Sequence, residues 1–260
     1  MGTTARRRWE ELPAGLRREV ARRLGGEVRG FGDRPGGFSY GVLGVAEIGD
    51  GGGRVFVKAV PGEDGDGYRE EAVVARALPV AGVPTVAGRM AGRCETWRAL
   101  AEGGVHAPLT AAGLGAWERG SLDRLAGVEG RWAGLVTGDT LLHFDLRHDN
   151  VLVAPGGTAR FVDWGRACLG PGWVDLMCLL LLSRADGVDL EETFLAHPLG
   201  RGAPPDAVDA FLVALAGYWT HTAALPGPAH APHLQGRRER SRAATIGWLR
   251  RRWGRPGRAT

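Results

Sequence analysis

Lysine is almost missing from this sequence. Of its 33 basic Lys and Arg residues, Lys58 is the single lysine. An arginine-preferring chain that keeps one lysine in the middle of an apolar stretch points to a specific need there. Cysteine is also scarce. Cys94, Cys168 and Cys178 have no metal-ligand spacing, which excludes a zinc ribbon and a disulfide-stapled scaffold. An odd cysteine count, with a polar and basic start over residues 1–8, leads us to expect a reducing, cytoplasmic setting. Long hydrophobic runs are missing too. The longest, residues 176–182, is far too short to span a bilayer, so no membrane partner is expected. Aromatic residues do not alternate with arginines along any stripe, so nucleic acid is not expected as a partner. The net charge of +4 and the pI of about 9.4 mildly favour small anionic ligands.

What is present is ordinary for a globular chain of 260 residues: 44% hydrophobic, 24% charged, and long enough for one large core or two modest ones. Glycine is abundant but follows no repeat. Leu12, Leu16, Val20 and Leu24 recur at helical spacing, and Gly25-Gly26 ends that pattern. A glycine-rich β region follows, with strands predicted over 42–48 and 54–60 around a turn of Gly and Asp. A helix is predicted over about 68–78, closed by Pro79. Beyond it the chain is less regular, with one strand predicted at 83–86 and helices over 94–101 and 122–135. Residues 151–153 and 159–162 read as a hairpin, and 173–182 as a buried helix. The remainder is helical with breaks at Pro198, Pro204-Pro205 and 226–232. In the last helix, Ala244 and Trp248 mark the apolar face, with Arg251 and Arg252 on the wet face.

Two motifs carry chemistry. His143-Phe144-Asp145-Leu146-Arg147-His148-Asp149-Asn150 places an Asp on an irregular loop and an Asn at its end. The Asp can accept a hydroxyl proton while the Asn reaches back to a metal ion. Asp163-Trp164-Gly165 follows a predicted strand, and a carboxylate at a strand end can hold a divalent cation on phosphate oxygens. Either motif alone is commonly just a loop. Their order, across one short hairpin, argues that they meet in space. Arg147 stands two residues after Asp145, where it can neutralise charge on a transferring phosphoryl group.

The first motif has the form of the protein-kinase catalytic loop, with Phe144 replacing its usual Arg. From Gly138 to Leu182 the chain resembles the aminoglycoside phosphotransferase family of kinase-like enzymes. The resemblance rests on Gly-Asp-Thr-Leu-Leu-His-Phe-Asp-Leu-Arg-His-Asp-Asn from Gly138, Phe-Val-Asp-Trp-Gly-Arg-Ala from Phe161, and Trp173-Val174-Asp175-Leu176. It implies that Asp145 is the catalytic base and that Asn150 and Asp163 bind Mg²⁺. It implies ATP or GTP as phosphate donor and a small-molecule alcohol as acceptor. His143 and Asp175 read as structural supports of the loop.

Lys58, with Phe56 and Val60 on the same strand face, resembles the nucleotide-binding lysine of such enzymes. Its partner should be Glu70 or Glu71, and the Glu-Ala pattern of the family favours Glu71. Gly36-Gly37-Phe38-Ser39-Tyr40-Gly41 looks like their phosphate loop, so Gly37, Phe38 and Ser39 are candidate nucleotide contacts.

The expected fold is α+β and bilobal, like a protein kinase. A small β-rich N-lobe over 1–88 would carry the first helix, Gly-rich loop, Lys strand and Glu helix. A larger helical C-lobe over 89–260 would carry the catalytic loop and the metal-binding Asp. The expected activity is transfer of a γ-phosphate to a hydroxyl of an aminoglycoside, another antibiotic or an amino alcohol. The span 80–142 is short for this family and shows no acidic hinge, which keeps a catalytically impaired nucleotide-binding protein as the alternative. An aminoglycoside would need an acidic pocket, and order offers Asp186, Asp189, Glu191, Glu192, Asp206 and Asp209.

Overall fold

In the computed structural model of the chain, the residues described are 6–33, 41–49, 53–60, 69, 83–103, 108–183 and 187–254. The chain is α+β and divides into two compact units. The first is Met1–Arg69 with Gly227–Leu234, and the second is Glu70–Pro226 with Gln235–Thr260.

The first unit opens on a helix, Ala14–Leu24, which ends at Gly25 in the left-handed conformation (φ 75°) that glycine tolerates without cost. Three antiparallel strands follow in the order β1-β2-β3: β1 Val28–Asp33, β2 Val42–Ile48 and β3 Gly53–Ala59. Alternation along β2 sends Val42 and Ala46 into a small core with Trp9, Leu12 and Val57. Leu12 is buried but precedes the helix, and Leu16, expected on the buried stripe, is exposed. Trp9 stacks flat on Phe31 at 5.0 Å, and a Cβ on Gly44 would collide with the Phe31 ring. Lys58 stands opposite Leu43 in the β2–β3 ladder, with its Nζ 6.0 Å from the Phe56 ring centre. The expected phosphate loop with Gly37, Phe38 and Ser39, and the expected helix over 68–78 with Glu70 and Glu71, lie outside the described residues, Arg69 apart.

The second unit is mainly helical. Its axis is the helix Pro205–Ala224, whose middle from Ala210 to Gly217 is buried on every side. A helix apolar all round is one surrounded by others. Pro198 and Pro205 do not simply break helices here; each begins one, at a position where the missing N–H has no intrahelical partner to lose. The helix Trp173–Leu182 forms as predicted and buries Val174, Met177 and Cys178. Two small antiparallel pairs carry the loops between helices: β4 Thr140–Leu142 with β7 Cys168–Gly170, and β5 Val151–Val153 with β6 Ala159–Phe161. No helix among the described residues is long and apolar enough to cross a membrane.

Two expectations are corrected. The strand predicted over 83–86 is a single bridge, Thr85 to Leu169. The Thr85 hydroxyl accepts the Gly88 N–H at 3.1 Å, capping a short helix, Val86–Arg89. The cap satisfies an amide that a strand would have left to a neighbour. Arg252, expected on a wet face, is 2% exposed. Its Nη1 lies 2.7 and 2.6 Å from the two carboxylate oxygens of buried Glu191, and its Nε donates to Asp209 at 2.5 Å. The Trp248 indole N–H donates to the same Glu191 at 2.6 Å. A buried guanidinium persists where carboxylates pair it this closely.

Gly217 leaves room on the axial helix for two polar groups. A Cβ there would lie 2.8 Å from Glu129 Oε1 and 3.0 Å from Trp97 Nε1, which instead donates to the Val213 carbonyl at 2.9 Å. Glu129 is 1% exposed, and its Oε2 accepts the Arg98 N–H at 2.9 Å. Burial pushes its carboxyl up to about 7, against the opposing pull of the Arg98 and Trp97 amides. An acid whose folded pKa is raised binds its proton more tightly when folded. Its contribution is therefore complete below the unfolded value of about 4.5 and is lost as pH rises through about 7. The expected loss is on the order of 3 kcal/mol, at about 1.4 kcal/mol per pKa unit. Glu129→Gln should flatten this slope, and urea midpoints of both proteins at pH 5 and pH 8 check it. Parallel pH profiles for the two proteins would contradict the assignment.

Candidate active site

The loop after β4 turns sharply. Phe144 has φ 61°, in the left-handed region that a bulky side chain avoids. Two bonds hold it there. Asp175, in the first turn of Trp173–Leu182, accepts the His143 N–H on Oδ2 at 2.7 Å and the Phe144 N–H on Oδ1 at 2.8 Å. The Phe144 ring is buried and tilts against Phe211 at 6.3 Å, which fixes the other side of the turn. Burial pushes the Asp175 carboxyl above its ordinary value, and the two amides work in the opposite direction.

His143 joins this loop to the next. Its Nε2 is 2.7 Å from the Val162 carbonyl, which can only accept, so Nε2 carries the hydrogen. Nδ1 is then the acceptor, and the Asp145 N–H donates to it at 3.3 Å. The His143 ring also packs on Trp164 at 4.9 Å. One buried imidazole thus positions Asp145 on one side and the residue before Asp163 on the other.

Asn150 closes the frame. Its side-chain Nδ2 donates to the Asp145 carbonyl at 2.9 Å, and its own carbonyl accepts the Val162 N–H at 3.0 Å. The register of β5 on β6, Val151 opposite Phe161, continues that pairing. Asp163 follows at φ 69°, a second left-handed non-glycine. Of the residues named from the sequence, Asp145, Arg147, Asn150 and Asp163 all lie in the second unit; Asn150 bonds to Asp145 through its side chain, and to Arg147 and to Val162, the residue before Asp163, through its backbone. Lys58 lies on β3 of the first unit. Glu71, Gly37, Phe38 and Ser39 lie outside the described residues.

The donor set suits a hard divalent cation. With Nδ2 committed to Asp145, Asn150 has its amide oxygen left to offer, and Asp163 adds a carboxylate. Mg²⁺ commonly takes one or two such ligands and completes its shell with water and phosphate. No group of three His, Cys, Asp or Glu that could hold a metal exists among the described residues.

The electrostatics of Asp145 hold a residue that the sequence did not single out. Arg237, near the start of the last helix, places Nη2 3.3 Å from Asp145 Oδ1. Arg147, buried rather than a surface arginine, lies with Nη1 3.9 Å from Asp145 Oδ2 and Nε 2.9 Å from Asp149. Burial first, and then the charge of Arg147, pull the Arg237 pKa below its ordinary value. Arg237 lies in an arginine-rich run, Arg237-Arg238-Glu239-Arg240, and nothing local distinguishes the one that turns inward.

Replacing Asp175 by Ala should leave the His143 and Phe144 amides unpaired beneath a strained turn. Each buried unsatisfied amide costs about 1–3 kcal/mol. We expect a loss of roughly 2–5 kcal/mol in urea unfolding and, in any fraction still folded, loss of the loop geometry. A variant as stable as the parent would show that the turn is held elsewhere.

The sequence model of the phosphotransferase enzyme family matches residues 48–211, more than half of the chain, including the Asp145 loop and Asp163. None of the curated proteins matches the sequence. The frame of His143, Asp145, Asn150 and Asp163 lies wholly within the matched span, and the chain belongs to this family of kinase-like phosphotransferases.

Proposed function

We propose that the protein transfers the γ-phosphate of ATP or GTP to the hydroxyl of a small-molecule alcohol, with Asp145 as the base. The observation that carries this reading is the bond from Asn150 Nδ2 to the Asp145 carbonyl. Together with the Asn150 carbonyl on the Val162 amide, it ties the proton acceptor to both metal-binding candidates through backbone and buried side chains. Such a frame keeps reacting groups in register without reorganisation during the reaction.

Each residue has a defined part. Asp145 orients the acceptor hydroxyl and takes its proton as the oxygen attacks the γ-phosphorus. The bond to the β,γ-bridging oxygen breaks, and the nucleoside diphosphate leaves. Asn150 and Asp163 are the residues that would hold Mg²⁺, which when bound neutralises charge on the phosphate oxygens. Arg147 adds positive charge near the same carboxylate. Lys58 is assigned to the α- and β-phosphates, paired with Glu71, while Gly37, Phe38 and Ser39 supply backbone and hydroxyl donors to phosphate. In domain terms this assigns the nucleotide to residues 1–88 and the catalytic and acceptor groups to 89–260.

Two variants separate the roles. Asp145→Asn keeps the size and removes the charge, so Mg-nucleotide binding should survive while kcat falls about 10²–10⁴-fold. Asp163→Asn should weaken binding of the Mg-nucleotide complex itself, because a cation with few protein ligands depends on each carboxylate. Calorimetric titration with Mg-ATP and Mg-GTP, beside turnover against a panel of alcohols, reads both. Wild-type turnover by Asp145→Asn would remove the base assignment. Failure of the unaltered chain to phosphorylate any alcohol would favour a non-catalytic nucleotide-binding protein.

A further inference from the structure

In the Asp163-Trp164-Gly165 motif the strain falls on the functional residue. It is Asp163, with φ 69°, and not Gly165, that takes the left-handed backbone. Aspartate enters this region more readily than most side chains, but the conformation still costs free energy. The direction in which the carboxylate leaves the chain follows from that dihedral, so whatever holds φ also aims the carboxylate.

The peptides before Asp163 are tied on both edges of β6. Val162 donates its N–H to the Asn150 carbonyl at 3.0 Å, which makes Val151 and Phe161 a non-hydrogen-bonded pair of the β5–β6 ladder. The Phe161 carbonyl therefore points away from β5. The Trp164 indole reaches back across Asp163, and its N–H donates to that carbonyl at 3.1 Å. The bond closes a ring that contains Val162 and Asp163. The indole stands where a backbone N–H closes an ordinary β-turn. On the other edge the Val162 carbonyl lies 2.7 Å from His143 Nε2, and the Trp164 ring packs on the His143 ring, 4.9 Å between centres. After Asp163, the Trp164 carbonyl accepts the Ala167 N–H at 3.0 Å. The indole thus does two things: its face packs on the histidine, and its N–H latches the turn. A phenyl ring could do only the first.

We propose that Trp164 is a positioning residue for the metal: its indole N–H holds the left-handed backbone at Asp163 and presents the carboxylate to a divalent cation before any nucleotide binds. The inference rests on the reading of Asp163 as a metal ligand. When only a fraction of the chains has the competent turn, apparent affinity for the cation complex falls by that fraction. The latch keeps the fraction high.

Trp164→Phe in the full chain separates latch from packing. Amide hydrogen exchange without ligand reads the latch directly. The Val162 and Ala167 N–H groups should exchange about three- to tenfold faster than in the parent, the factor that one net hydrogen bond is worth. The His143 and Phe144 N–H groups, held by Asp175, should keep the parent's rates. Calorimetry reads the consequence: Kd for Mg-ATP should rise by the same factor of about three to ten, while Kd for ATP in EDTA stays unchanged. The double variant Trp164→Phe with Asp163→Asn should bind Mg-ATP no more weakly than Asp163→Asn alone, because the latch then has no carboxylate to aim.

Unchanged Mg-ATP affinity in Trp164→Phe overturns the proposal. So does an equal loss for Mg-ATP and metal-free ATP, or a further loss in the double variant, since Trp164 would then serve the fold in general. The unaltered chain supplies a check that does not depend on any variant folding. Its Val162 and Ala167 amides should already be protected without ligand, and Mg-ATP should slow their exchange by less than about threefold. A larger gain would mean that the ligand orders the turn, and is equally fatal. Failure of the metal reading is seen separately, as an Asp163→Asn variant that binds Mg-ATP as tightly as the parent, whatever Trp164→Phe does.

Discussion

The Asp175 carboxylate is the group on which the candidate site depends. Left-handed backbone at a residue as large as Phe144 costs on the order of 1–3 kcal/mol. Hydrogen bonds to a charged acceptor are worth about 1.5–3 kcal/mol each, and Asp175 makes two, to consecutive amides of the turn. The strain is therefore offset locally, without help from a ligand. The carboxylate is itself held by the apolar helix that carries it, since Trp173, Val174, Met177 and Cys178 are buried around its base. Apolar burial of that helix, ionic anchoring of the turn and presentation of Asp145 form one chain of cause.

From the turn, order spreads through backbone atoms more than through side-chain pairs. His143 reaches the Val162 carbonyl, Asn150 reaches the Asp145 carbonyl, and Val162 returns an N–H to Asn150. These bonds commit the inner atoms of His143 and Asn150 to scaffolding. Among the described residues, the Asp145 carboxylate makes ionic contacts with the two arginines. That division of labour suits a phosphotransferase, in which positioning and charge supply most of the rate.

The nearly lysine-free composition has a structural consequence in the second unit. Arg252 satisfies Glu191, Asp209 and the Pro205 carbonyl together, from a site with almost no solvent. An ammonium cannot spread its donors so widely in one plane. Arginine therefore builds the interior of this unit as well as its surface. The cysteines add nothing ionic there: burial pushes the Cys94, Cys168 and Cys178 thiols up, and they act as small apolar side chains.

The sequence by itself determined the pieces whose chemistry is contiguous. The spacing from His143 to Asn150, the Asp163 that ends the hairpin, the exact span of β2 and the buried helix at 173–182 follow from side-chain order and periodicity over a few residues. Support of the loop by Asp175 was legible because it belongs to a recognisable pattern. Other features were not legible. Val83-Pro84-Thr85-Val86 has the composition of a strand, yet the Thr85 hydroxyl caps a helix, Val86 is buried in the core, and among the described residues Thr85 bridges only to Leu169. Arg237 and Arg252 look like their neighbours in an arginine-rich helix. Which of them turns inward depended on where Asp145, Glu191 and Asp209 came to rest, 92, 61 and 43 residues away. Local spacing is set by covalent geometry, whereas the pairing of a buried charge is set by which partner tertiary packing brings within about 4 Å, the range in which attraction can offset desolvation.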